Sequence, residues 1–188
     1  MAGILAKVDA FKNATANLHL LSAGGNFPLY SVKNKKGEYD VFTGTWSVED
    51  PTFENICAGK RLTIDGNVPV TAVAPSFDDG SAIAPIQLVI CNPQSPDVER
   101  RRKACGIDSK VKPEGDAEDE KVMRWHLVQI ASCVIGFENL LWDNPETEKT
   151  ELMPYSQEAV IQFLKDYPMA VKQIGAFLGD TKKFESPS

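Results

Sequence analysis

Apolar and polar positions follow three successive patterns along the chain. Over residues 3 to 21, Ile4, Val8, Phe11 and Leu18 recur at helical spacing, diluted by Asn13, Thr15 and Asn17. This predicts a short amphipathic helix. Ser22-Ala23-Gly24-Gly25-Asn26 predicts its stop, because glycine readily adopts the left-handed backbone that ends helices. From 27 to 92 the runs are short and β-rich: Leu29 to Val32, Tyr39 to Phe42, Thr45 to Val48, Arg61 to Ile64, Val68 to Val73 and Ile86 to Cys91. Turn chemistry separates them at Lys33 to Gly37, Asp65-Gly66-Asn67 and Phe77 to Ser81. The near-continuous apolar run Ile86 to Cys91 predicts a buried strand.

From 95 to 184 the period lengthens and predicts helices. Ser95 can cap and Pro96 suits a first turn, so a helix follows through Ala104 and stops at Gly106. A polar linker, Asp108 to Gly115, leads to the acidic run Asp116 to Glu120, which suits a helix N-terminus. Met123, Leu127, Ile130, Val134 and Phe137 then form one stripe, with Trp125, Val128, Ala131 and Ile135 on other faces. A helix apolar nearly all round predicts a buried spine. Trp142 to Pro154 reads as an acidic loop, Ser156 caps a helix to about Lys165, and Pro168 opens a last helix bearing Ala170, Ile174, Phe177 and Leu178. The expected fold class is α+β. A short N-terminal helix and a β-rich region of short antiparallel strands would fill 1–92, and a helical region with a buried central helix 93–188.

Composition changes this picture little. With 188 residues, 43% hydrophobic and 24% charged, the chain can bury a core of ordinary size. No run approaches the ~20 apolar residues of a membrane span, and no signal-peptide core opens the chain, so a soluble protein without a membrane partner is expected. The net charge of −6 disfavours nucleic acid, whose binders usually present a basic face. Cys57, Cys91, Cys105 and Cys133 lack the paired spacing of a zinc site and read as buried reduced thiols of a reducing compartment.

Candidate chemistry is sparse. The two histidines, His19 and His126, have no nucleophile elbow to serve, and His126 reads as structural. Ala23-Gly24-Gly25-Asn26 lacks the lysine of a phosphate loop. Asp78-Asp79-Gly80-Ser81 holds only the first fragment of a calcium loop and reads as a turn. The carboxylates of 114–120 and 143–151 read as solvated faces or helix starts. Glu99-Arg100-Arg101-Arg102-Lys103 could meet a phosphate backbone, an acidic partner or the acidic run from Glu114, but successive helical residues point in different directions. Trp46, Phe53, Phe27 and Trp142 fall near predicted loops or edges, where aromatics either anchor interfaces or enter the core. No catalytic, cofactor-binding or metal-ligating residue is assigned, and the chain is expected to be non-enzymatic.

Three segments carry a resemblance. They are Ile86 to Cys91 followed by Asn92-Pro93-Gln94-Ser95-Pro96-Asp97-Val98-Glu99-Arg100-Arg101; Ala131-Ser132-Cys133-Val134-Ile135-Gly136-Phe137-Glu138-Asn139-Leu140; and Met153-Pro154-Tyr155-Ser156-Gln157-Glu158-Ala159-Val160 with Leu164-Lys165-Asp166-Tyr167-Pro168, closing on Gln173-Ile174-Gly175-Ala176-Phe177 and Lys183-Phe184. Over residues 86 to 184 the chain resembles small tailed-bacteriophage proteins encoded with the tail genes, regarded as tail-assembly chaperones. The resemblance implies a non-enzymatic assembly protein that shields helical segments of the tape-measure protein or recruits tail-tube subunits in the host cytoplasm. The alternative it leaves open is a virion structural protein, such as a capsid-decorating, tail or connector component, with self-association as a further option.

Overall fold

A computed structural model describes residues 14–25, 27–48, 70–107, 111–116 and 119–179. In chain order the elements are β1 (Thr15–His19), β2 (Leu29–Lys33), β3 (Tyr39–Thr43), β4 (Thr45–Val48), β5 (Val70–Val73), β6 (Ala82–Pro85), β7 (Gln87–Cys91), α1 (Pro96–Ala104), α2 (Glu120–Ala131), β8 (Val134–Glu138), β9 (Leu141–Asn144), β10 (Lys149–Leu152), α3 (Gln157–Asp166) and α4 (Pro168–Gly179). The strands form small antiparallel sheets ordered β1-β7-β8, β3-β2-β6, β4-β5 and β10-β9. The fold class is α+β, as the sequence predicts.

The core forms on one face of the sheet β1-β7-β8. Register aligns Leu18, Leu88 and Phe137 in one row and Ala16, Ile90 and Val134 in the next. Leu88, Ile90 and Val134 have no solvent exposure and join one apolar cluster with Val160 and Leu164 of α3 and Ala170, Ile174 and Phe177 of α4. The opposite face carries a polar contact at one end: Asn17 Nδ2 donates to Gln87 Oε1 and to Glu138 Oε2, each at 3.1 Å. The strand alternation therefore separates the two faces.

Local signals place the helices against this sheet. Ser95 Oγ accepts from Asp97 N at 3.3 Å, with Pro96 at the start of α1. Gly106, at φ 72°, ends that helix in a left-handed conformation. Ser156 Oγ accepts from Ala159 N at 3.0 Å at the head of α3, and Asp119 caps α2 through Lys121 N at 2.9 Å. The C-terminal helices are tied to the N-terminal strands by polar contacts too. Tyr167 Oη donates to Leu21 O at 2.6 Å, and Gln173 Oε1 accepts from Leu21 N at 3.2 Å.

Three expectations are corrected. Residues 15–19 form a strand and not the end of a helix. Thr15 and Asn17 are poor helix formers, and pairing with β7 turns Ala16 and Leu18 inward. Ile4, Val8 and Phe11 lie outside the described residues, as do Arg61 to Ile64 and Asp65-Gly66-Asn67. The segment 22–25 is accordingly a turn between strands, closed by Ser22 N donating to Phe27 O at 2.8 Å.

The long apolar helix divides in two. α2 ends at Ala131, where Ser132 Oγ donates back to Val128 O at 2.6 Å, and Val134 to Glu138 pair with β7. Val134 and Ile135 are β-branched and Gly136 is a poor helix former, so the open edge of β7 wins this segment. The buried stripe of α2 is Val122, Val128 and Ala131, while Met123 is 51% exposed.

Trp142 to Pro154, read as a loop, contains the hairpin β9–β10. Its turn is organised by Asn144, whose Oδ1 accepts from Glu146 N at 2.9 Å, and by Glu148 at φ 53°. Cross-strand bonds lock it: Thr150 Oγ1 donates to Asp143 Oδ1 at 2.7 Å and Asn144 Nδ2 to Glu151 Oε2 at 3.0 Å. The acidic residues that suggested a loop are split between the turn, which holds Glu146 and Glu148, and the strands, where Asp143 and Glu151 fall on opposite faces. β8, β9 and β10 thus put strands into a region read as helical, and β8 extends the sheet begun by β1 and β7.

Candidate interaction surface

The basic cluster is spent largely within the fold. Arg101 Nη1 donates to Ser132 O at 3.2 Å and Arg102 Nη2 to Gln129 O at 3.5 Å. Both accept at the C-terminal end of α2, where free carbonyls attract cations. Arg100 pairs with Asp97 one turn earlier, and Arg102 lies 3.8 Å from Glu99. Arg100, Arg101 and Arg102 therefore turn to different partners.

The remaining candidates resolve individually. His19 Nε2 bonds Leu29 O at 2.7 Å and its ring meets Tyr30 edge-on at 5.0 Å; burial pulls its pKa down. His126 is exposed and edge-on to Trp125 at 5.0 Å. Cys91 and Cys133 are buried free thiols, Cys105 is partly buried, and Cys57 lies outside the described residues. Burial raises the Cys133 thiol to about 11. Among the described residues no group of histidines, cysteines and carboxylates is placed to hold a metal ion. Asp79 Oδ1 accepts from Ser81 N at 2.9 Å and from Ser81 Oγ at 2.6 Å, and these bonds hold the Asp79 carboxyl below its ordinary value. Gly80 beside it has φ 75°, so the segment is a turn closed on itself.

What the tertiary structure assembles is a surface on the outer strands. β3 has a ladder partner, β2, on one side only among the described residues, and it lies against β9 and β10 without pairing to either. Val41 on β3 is 44% exposed and Leu152 on β10 is 48% exposed. Behind β3, Phe42 meets Phe77 edge-on at 4.9 Å. With Tyr39, Glu38, Asp40 and Asp79 these rings line an open recess of about 260 Å³. Lys33 Nζ sits over the Tyr39 ring, 5.0 Å from its centre. Exposed apolar side chains near aromatic and carboxylate groups are of the kind that suit protein contact.

Of the aromatics singled out by position, Phe27 is 48% exposed, Trp46 and Trp142 are partly buried, and Phe53 lies outside the described residues. Val41, Leu152, Phe42 and Phe77 are not identifiable from the sequence as surface residues. Period-two alternation places Val41 and Phe42 on opposite faces of a strand, but it does not say which face is covered. No protein-family model, curated protein or solved structure matches the chain. Among the described residues, no helix is long and apolar enough to cross a membrane.

Proposed function

We propose that this chain is a non-enzymatic protein-binding component of phage assembly, a tail-assembly chaperone for tape-measure or tail-tube proteins. The observation that carries the binding reading is that Val41 on β3 and Leu152 on β10 are both exposed, on strands that lie against each other, with β3 paired on one side only among the described residues. Such a strand can accept a partner segment through its backbone while side-chain pockets select it. The phage assignment rests on the resemblance over residues 86 to 184. Those segments supply Ile90, Val98, Val134, Val160, Leu164 and Ile174, which are core positions. The quoted segments thus supply the scaffold, while Val41 on β3 and Leu152 on β10, outside those segments, mark where a partner would be chosen.

The test is quantitative mass spectrometry of purified phage particles against the lysate of producing cells. Abundance in lysate with absence from particles is the expected result. Many copies per particle would overturn the chaperone reading and make the chain a virion structural protein, with the outer strands as its attachment surface. The binding surface has its own check. A photo-crosslinking residue at position 41 should capture a tape-measure or tail-tube protein, whereas the same residue at Asn17, on the face of the inner sheet opposite the core, should not.

A further inference from the structure

We draw no further inference here: the strongest candidate, the acid-rimmed aromatic recess between the β2–β3 hairpin and the 77–81 turn, belongs to the surface already described, its Glu38, Asp40 and Asp79 carboxylates already accept hydrogen bonds from Asn34, Val41 and Ser81, and nothing in the structure shows what fills it.

Discussion

The sheets β1-β7-β8 and β3-β2-β6 share antiparallel pairing and strands of four or five residues, yet they do different work. In the first, the central strand β7 sends Leu88 and Ile90 into a cluster to which helices α1 to α4 all contribute. In the second, the central strand β2 buries Tyr30 and Val32 at 5% exposure each, but both fall outside that cluster. Its outer strand β3 leaves Val41 to solvent. A sheet covered by helices stores stability in its interior, since each buried side chain adds roughly 1.5–3 kcal/mol. A sheet whose outer strand leaves an apolar side chain exposed stores less and offers contact surface. The difference teaches that the buried core and the exposed apolar Val41 belong to separate sheets of this protein, joined where Leu20, Leu29 and Ile86 exchange backbone hydrogen bonds of 2.9 to 3.0 Å.

That division can be broken most directly at the inner sheet. Ile90→Ala should lower the unfolding free energy by about 3–4 kcal/mol in chemical denaturation, because the side chain is fully buried and its neighbours close a cavity only in part. A loss below about 1 kcal/mol would mean that the inner sheet is not the stability centre.

The buried thiol probes the same layer by pH. The folded protein holds the Cys133 proton more tightly than the unfolded chain does, with a value near 11 against an ordinary 9.0. The stability this confers is complete below pH 9 and is lost as pH rises toward 11, by about 3 kcal/mol. Cys133→Ala should remove this part of the alkaline slope in denaturant titrations run across that range. An unchanged slope would place the thiol in contact with water.

The outer layer should respond through its close approaches. A side chain at Gly44 would run into the Val73 carbonyl and the Tyr30 ring. Gly44→Ala is therefore expected to cost about 1–3 kcal/mol, with hydrogen-exchange protection lost in β2 to β5 before β7. Simultaneous loss in both sheets would show that the layers unfold as one. Ser156→Ala, which deletes the cap bond to Ala159, should cost about 1 kcal/mol by thermal denaturation and leave the outer strands unchanged.

The smallest change in stability is expected where the functional effect should be largest. Val41→Glu, at an exposed position, should shift unfolding by no more than about 0.5 kcal/mol. Capture of the assembly partner should nevertheless fall, because a charge would be carried into an apolar contact. Undiminished capture by a folded Val41→Glu protein would remove β3 from the binding surface.

Much of this architecture is legible in the residues. Ser95-Pro96, Ser156, Gly106 and Pro168 mark helix ends through short-range geometry that needs no tertiary partner. The hairpin β2–β3 is legible for the same reason: Asn34 Oδ1 accepts from Lys36 N at 2.8 Å, and Gly37 at φ 85° completes the turn. The apolar run of β7 announces a buried strand before any neighbour is known. The helix-to-strand change after Ala131 is not legible, because Val134 and Phe137 continue an acceptable helical stripe. The hairpin β9–β10 was hidden by its acidic composition, although Asn144 in its turn was a usable signal.

The sequence by itself determined the elements whose causes lie within a few residues: caps, turns, and the apolar periods of β7, α3 and α4. Only the tertiary structure decided which ambiguous segments became strands, that Val41 of β3 stayed exposed, and that Arg101 and Arg102 would serve the end of α2. The physical reason is that these outcomes depend on partners distant in sequence. The edge of β7 must exist before Val134 to Glu138 can pair with it, and Phe42 and Phe77 can meet only after the strands between them have folded back.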